Sequence, residues 1–176
     1  MTVTIRAAGE ADAAGLADLA AVTFPLACPP HTTAAAIAEF LRDVLSEGNF
    51  DAYLADPDRV VLVAEAGGAL VGYTMLVFGE PTDADAHSAV GIRPTVELSK
   101  FYLRAEAHGG GAAATLMGAT LDAARGRGAA GVWLGVNQLN ARALRFYEKH
   151  GFRVVGRKRF LVGGEYENDF VLERAV

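Results

Sequence analysis

Apolar positions along the chain follow two rhythms, and the switches between them divide it into elements. Val3 and Ile5 alternate with polar neighbours, which predicts a short opening strand. From about Ala11 to Phe24, the residues Leu16, Leu19, Ala20 and Thr23 recur at helical spacing, with Pro25 as the predicted stop. The Cys28-Pro29-Pro30 segment cannot be helical. Thr32 or Thr33 then caps a second helix carrying Ile37, Phe40, Leu41 and Val44 on one face, and a short helix is predicted near Phe50–Ala55. Arg59–Ala66 is β-branched and nearly continuous in apolar residues, which suits a buried strand. Gly67-Gly68 reads as a hairpin turn, and Ala69–Gly79 as the returning antiparallel strand. Glu80–Pro94 reads as a polar loop, Thr95–Leu103 as a strand, and about Gly111 to Arg125 as a long Ala-rich helix. Val132–Val136 is a strand, and Ala141–His150 a helix closed by Gly151. Phe152–Phe160, Gly163-Gly164 and Tyr166–Leu172 form a final hairpin. Antiparallel hairpins beside a strand–helix–strand unit predict an α/β mixed sheet with helices on its faces.

Composition narrows the classes. A length of 176 residues with 52% hydrophobic and 21% charged residues fits one globular domain over 1–176 and excludes a disordered chain. The single cysteine, Cys28, excludes an internal disulfide framework and a Cys-based zinc site. His31, His87, His108 and His150 show no metal-ligand spacing, so no metal is expected. Sixteen basic against 21 acidic residues argue against nucleic acid and, through a net charge of −5, favour a cationic substrate. No basic start leads into an apolar run, and charged residues interrupt every long apolar stretch. The expectation is a soluble, cytoplasmic protein with no membrane partner.

The strongest chemical signal is Phe101–Leu116, FYLRAEAHGGGAAATL. A strand runs into Gly109, Gly110 and Gly111, and a helix begins there. Glycines leave backbone amides uncovered, and the first amides of a helix have no internal partner and lie at its positive end. That combination binds an anion, most often a phosphate, although a flexible loop in a Gly-rich chain has the same residues. A P-loop is excluded because no Lys-Ser/Thr follows the glycines, and an antiparallel hairpin before the loop disfavours a dinucleotide fold. Thirty residues on, Asn140–Phe152 reads NARALRFYEKHGF. Asn140 suits a helix cap, and Ala143, Phe146 and Tyr147 share one helical face. Tyr147 either projects toward whatever the glycine loop holds or is a core aromatic with its hydroxyl tied to the backbone.

Together the two motifs resemble those of the GNAT superfamily of acetyl-CoA-dependent N-acyltransferases. The family's phosphate loop, [Q/R]-x-x-G-x-[G/A], is similar to the run His108-Gly109-Gly110-Gly111-Ala112-Ala113, which follows Phe101-Tyr102-Leu103. Its later motif, N-x-x-A-x-x-F-Y-x-x-x-G-F, is matched by Asn140, Ala143, Phe146, Tyr147, Gly151 and Phe152. His108 departs from the usual Gln or Arg, Ala105 from a common proline, and Ala112 from a branched aliphatic residue.

The resemblance implies a mostly antiparallel mixed sheet with a central splayed parallel strand pair, flanked by helices. It implies acetyl-CoA as cosubstrate, with Phe101, Tyr102 and Leu103 along the pantetheine arm and the amides from His108 through Gly109, Gly110, Gly111 and Ala112 to Ala113 on the pyrophosphate. Asn140 would contact the pantetheine or phosphate region, and Arg104, Arg145 or Lys149 would reach the 3′-phosphate or remain solvated helix charges. Tyr147 would be the general acid toward the departing thiolate. Glu97, on the strand leading to the loop, would be the base or else an exposed carboxylate paired with Lys100 or an arginine. Tyr102 and Glu106 are weaker alternatives to it.

For the acceptor, Phe24, Phe50, Tyr53 and Tyr166 are candidate apolar walls, and Asp51, Glu165 and Glu167 candidate attractors of positive charge. Val132–Asn140 and the ending near Gly163–Asp169 look similar to a bacterial subgroup that acetylates polyamines such as spermidine. That favours a small polycationic amine. A peptide or protein N-terminus, an aminoglycoside-like drug, and a non-catalytic acyl-CoA-binding module are the alternatives. The family leaves a homodimer open. Cys28, with no paired His/Asp motif, reads as a bland thiol.

Overall fold

In chain order the elements are β1 (Thr4–Ala7), α1 (Ala13–Ala27), α2 (Ala34–Val44), α3 (Glu47–Ala55), β2 (Arg59–Ala66), β3 (Ala69–Phe78), α4 (Ala84–Ala89), β4 (Thr95–Leu103), α5 (Ala112–Gly126), β5 (Gly131–Asn137), α6 (Ala141–Lys149), β6 (Arg153–Val162) and β7 (Glu165–Ala175). They are taken from a computed structural model that describes residues 2–176. The strands form one sheet in the order β1-β2-β3-β4-β5-β7-β6. Every pairing is antiparallel except β4 with β5. This is the mixed, mostly antiparallel sheet with a central parallel pair that the sequence led us to expect. None of the described helices is long and apolar enough to cross a membrane.

Helices cover both faces, which is why β2 and β3 are apolar almost without interruption. On one face α1, α2 and α3 pack Leu16, Leu19, Phe24, Phe40 and Phe50 against Val63 and Tyr73. On the other, α5 sets Met117 and Leu121 against Leu76, Val96, Val132 and Leu134. Each such fully buried side chain contributes roughly 1.5–3 kcal/mol relative to exposure.

Several boundaries differ from the pattern reading. Pro25 does not stop α1, which runs on to Ala27. Phe24 stays helical in front of the proline because its ring is held in the core, stacked on Phe40 at 4.4 Å. The stop comes at Cys28, extended at φ −79° and ψ 141° ahead of Pro29. Ser46 and Asn49 form a capping box that starts α3 a turn earlier than the apolar pattern does. The Glu80–Pro94 segment, expected as a loop, contains α4, started by the Asp83 side chain accepting from the Ala86 amide.

The feature that positions a site lies in the middle of the sheet. β4 pairs with β3 from Val96 to Leu103, but with β5 only at Thr95, Val96 and Glu97. β5 continues beside β7 as far as Asn137, so the parallel strands part beyond Glu97. A bulge helps to part them. Met75 lies opposite Lys100 and Leu76 opposite Leu98, which leaves Ser99 unpaired and bends β4. The extra residue also shifts the strand's phase. Val96 and Leu98 face the α5 side before it, and Phe101 and Leu103 face that side after it. Glu97, Lys100 and Tyr102 therefore share the opposite face.

Candidate active site

The glycine loop fits a phosphate for a local reason. Gly109 and Gly111 have φ of 82° and 85°, left-handed angles that favour glycine, and Gly111 caps α5 in that conformation. A Cβ built at 109, 110 or 111 meets nothing within 4 Å, so the space over the loop is clear of protein. The His108 amide donates to Ala105 O at 3.1 Å, and the Thr115 amide to Gly111 O at 3.1 Å. Among the described residues the amides from 109 to 114 have no backbone acceptor. The free row therefore starts at Gly109, one residue later than the motif implies. It lies at the positive end of a 15-residue helix.

The opened edge of β4 leads from this loop into the sheet. The Arg104 amide donates to Val71 O at 2.8 Å. Antiparallel strands exchange bonds at every second residue, so the peptide groups of Tyr102 also face β3, and those of Phe101 and Leu103 face the gap. The Leu103 carbonyl accepts from His108 Nε2 at 3.1 Å, which ties the loop's first residue to the strand.

Two hollows meet in the gap. The first is lined by Leu103, His108, Gly109, Gly111 and Ala113, with Arg142 and Lys149 of α6 at its side. The second is lined by Glu97, Lys100, Lys158, Glu167 and Asp169. Phe101, Tyr102, Asn140, Ala143 and Tyr147 line both. Asn140 Oδ1 caps α6 by accepting from the Ala143 amide at 3.1 Å, leaving its Nδ2 for a ligand. Tyr147 is wedged edge-on between Phe101 at 6.2 Å and Phe152 at 5.8 Å. Among the described residues its hydroxyl has no hydrogen-bond partner, so it is not a core tyrosine tied to the backbone. Burial pushes its pKa up.

Charges are concentrated in the second hollow. Burial raises the Glu97 pKa, against the pull of Lys100 and Lys158. Glu97 is half-buried and makes no ion pair among the described residues. Burial lowers the half-buried Lys100 to about 8, and among the described residues its Nζ donates only to Ser99, at 3.0 Å to Oγ. Asp169 sits opposite Lys158 across β6 and β7, with Nζ and Oδ2 3.9 Å apart. Burial, aided by Glu167, raises Asp169 to about 6. Glu167 pairs with His31. Cys28 is pushed by burial up to about 11, which leaves it an inert thiol.

The structure gathers Glu97, Tyr102, Asn140, Tyr147 and the glycine loop around one gap. Gly110 and Ala112 lie outside the lining, with the Ala112 side chain in the core and only its amide available. Arg104 is diverted, its Nε donating to Leu70 O at 3.0 Å, while Lys149 remains at the first hollow. Of the expected acceptor walls only Phe24 is in place. Phe50 is 0% exposed, Tyr53 donates to Val44 O, and Tyr166 stands 58% exposed beside Arg159. Phe40 and Phe160 take their place, and of the expected acidic attractors only Glu167 lines the hollow. Sequence reading missed Lys100 as a lining residue, together with Lys158 and Asp169. The one signal for Lys100 was the slip in apolar spacing from Val96 and Leu98 to Phe101 and Leu103.

Asp169 has a stability consequence. Its carboxyl rises on folding from 3.8 to about 6, so the folded state holds its proton more tightly. Stability is lost as pH climbs from about 4 to 6 and stays lost above, at a cost of up to about 3 kcal/mol. Asp169→Asn is expected to raise Tm at pH 7.5 and to leave it nearly unchanged at pH 4. Equal shifts at both values would refute this burial cost.

Comparison with known proteins bears on what such a gap does. The sequence profile of the Acetyltransferase (GNAT) family matches residues 23–152. An uncharacterized N-acetyltransferase of Mycobacterium tuberculosis is 48% identical over 163 residues, 93% of this chain and 97% of that protein. The paiA N-acetyltransferase from Thermoplasma acidophilum, solved in complex with coenzyme A, superposes over 100% of both chains with a TM-score of 0.79 at 21% identity. A GCN5-related N-acetyltransferase from Rhodopseudomonas palustris gives 0.76 at 20% identity over 100% of this chain and 97% of that one. At such identities the two structures speak to the fold.

Proposed function

Because the chain belongs to the acetyltransferase (GNAT) family, we propose that it moves an acetyl group from acetyl-CoA directly to a primary amine in the gap between β4 and β5. The observation that carries this is the position of Tyr147. Tyr147 lines both the hollow floored by free peptide amides and the one walled by carboxylates, and its hydroxyl has no partner among the described residues. The donor fits the first hollow. The amides of 109–114 face its diphosphate, the peptide edges of Phe101 and Leu103 run along its amide-bearing arm, and Arg142 and Lys149 supply positive charge at the side. When bound, the thioester supplies an activated acyl carbon and a thiolate leaving group.

The chain's own residues supply the proton handling. A lysine-like amine is mostly ammonium at neutral pH, with a pKa near ~10.4. Glu97, at the vertex of the gap, takes its proton, directly or through water. Burial raises the Glu97 pKa toward that of its task. Tyr147 donates a hydrogen bond to the charge that develops on sulfur. The polycationic acceptor suggested by the sequence finds three carboxylates here, but also Lys100 and Lys158, which repel a second ammonium.

The test is CoA release from acetyl-CoA with a panel of primary amines. Binding of acetyl-CoA without turnover on any amine would replace an enzyme with a carrier-binding module. Glu97→Gln is expected to lower kcat/KM by roughly 10- to 100-fold at pH 7, with the deficit shrinking as pH nears the amine's own pKa. A deficit independent of pH would remove Glu97 as the base.

A further inference from the structure

Resting on the acetyl-transfer reading, we infer that the acceptor amine carries a carboxylate, so that the second hollow is a site for an amino-acid-like zwitterion. The hollow has charges of both signs, arranged on three strands. Glu97 and Lys100 come from β4, Lys158 from β6, and Glu167 and Asp169 from β7. A polycation would satisfy only the carboxylates. Lys100 makes no ion pair among the described residues and reaches only Ser99. Lys158, its side chain 12% exposed, has a single carboxylate at the long distance of 3.9 Å. Gly135 clears a path for that lysine, since a Cβ at 135 would stand 2.6 Å from Lys158 Cε.

Two further atoms lack partners. Thr32 Oγ1 and Asp169 Oδ1 are both buried, both unbonded among the described residues, and both belong to residues lining this hollow. Asp169 is only 5% exposed, so an unpartnered oxygen there carries a desolvation cost that a ligand's donor would offset. A zwitterion answers each vacancy with one functional group. Its nitrogen donates to Asp169 Oδ1 and presents itself to Glu97, and its carboxylate accepts from Lys100, Lys158 and the Thr32 hydroxyl. The remaining wall is aromatic. Phe40 stacks on Phe24 at 4.4 Å and leans on Phe160 at 5.4 Å, a surface suited to an apolar side chain.

The other titratable groups at this hollow do not compete for the carboxylate. His31 is engaged by Glu167, Cys28 is held neutral, and Tyr102 and Tyr147 are phenols whose pKa burial raises.

The experiment compares amines with and without the carboxylate, with kcat/KM expressed per free amine because the neighbouring group alters the nitrogen's basicity: L-phenylalanine with phenethylamine, L-methionine with 3-(methylthio)propylamine, and L-lysine with cadaverine. CoA release should give the carboxylated member a kcat/KM higher by roughly 10- to 100-fold, the value of one charge-assisted hydrogen bond. Lys100→Met and Lys158→Met should each shrink that preference by about tenfold with acetyl-CoA affinity unchanged. Equal or better turnover of the decarboxylated partners, of spermidine, or of phenylalaninamide as a stand-in for a peptide N-terminus overturns the inference and leaves acetyl transfer intact. Thermal stabilisation of the CoA-saturated protein reads occupancy without chemistry. Stabilisation by the carboxylated members alone, with no CoA released from any amine, upholds the zwitterion site and removes acetyl transfer. The absence of both stabilisation and turnover overturns the inference.

Discussion

Gly111→Glu is expected to weaken acetyl-CoA binding by at least about 100-fold, equivalent to about 2.7 kcal/mol, while the protein stays folded. Two effects act together. Gly111 holds φ at 85° as the cap of α5, so any side chain there carries a backbone cost of roughly 1–2 kcal/mol. The second effect is specific to the ligand. A Cβ at 111 projects into space that no protein atom fills, and a carboxylate on it would sit over the amides that receive the diphosphate. Like charges at that range repel, and the free N–H groups would turn to the new side chain instead. Gly111→Ala separates the two contributions, because it has the strain without the charge. It should lower Tm comparably and weaken binding by no more than about tenfold. Gly110→Ala should do neither, since Gly110 has no left-handed angle to maintain. Isothermal titration with acetyl-CoA and a thermal melt of each variant make the comparison. If Gly111→Glu binds within threefold of the parent, the diphosphate lies elsewhere.

The loop is also where sequence and structure agree best, and the reason is local. Three adjacent glycines before an Ala-rich helix dictate free amides without reference to any distant residue. The same holds for Asn140, whose side chain acts on an amide three residues away. The acceptor hollow was legible only in fragments, because it is assembled by register. Lys158 meets Asp169 through the β6–β7 pairing, and Gly135 admits the lysine only because β5 lies beyond β7. No periodicity within one segment reports that. Phe24 and Phe50 look alike in sequence, yet Phe24 reaches the gap while Phe50 is enclosed between Tyr53 and Tyr73. The helix over Ala84–Ala89 was missed for a different reason. Its six residues carry no apolar stripe, and Asp83, its cap, sits in a segment whose proline and charges read as loop. The bulge at Ser99 was written in the spacing of Val96, Leu98, Phe101 and Leu103, and it turns Lys100 away from the α5 face that Val96 and Leu98 occupy and into a wall of the site.

Tyr147→Phe is expected to lower kcat by about 100- to 1,000-fold and to change the Kd for acetyl-CoA by no more than about twofold. The separation follows from what the ring and the hydroxyl each do. The ring is wedged among Phe101, Phe146 and Phe152, and phenylalanine fills the same space. The hydroxyl has no partner among the described residues, so removing it leaves no buried group orphaned and Tm should hold. What disappears is a donor at the junction of the two hollows, where negative charge grows on the departing sulfur. Burial lifts the Tyr147 phenol above its ordinary value near ~10, and a thiol lies near ~8.5, so full proton transfer to sulfur runs uphill. Its contribution is therefore a hydrogen bond strengthened in a dry gap. A donor that stays protonated across the working range has no titration of its own. The Tyr147→Phe deficit should be flat from pH 6 to 9, whereas the Glu97→Gln deficit should narrow as the free amine accumulates. The pH profiles of the two variants thus tell a hydrogen-bond donor from a proton acceptor, which their rates at a single pH do not. A Tyr147→Phe enzyme with an unchanged kcat would leave the junction of the two hollows without a catalytic role.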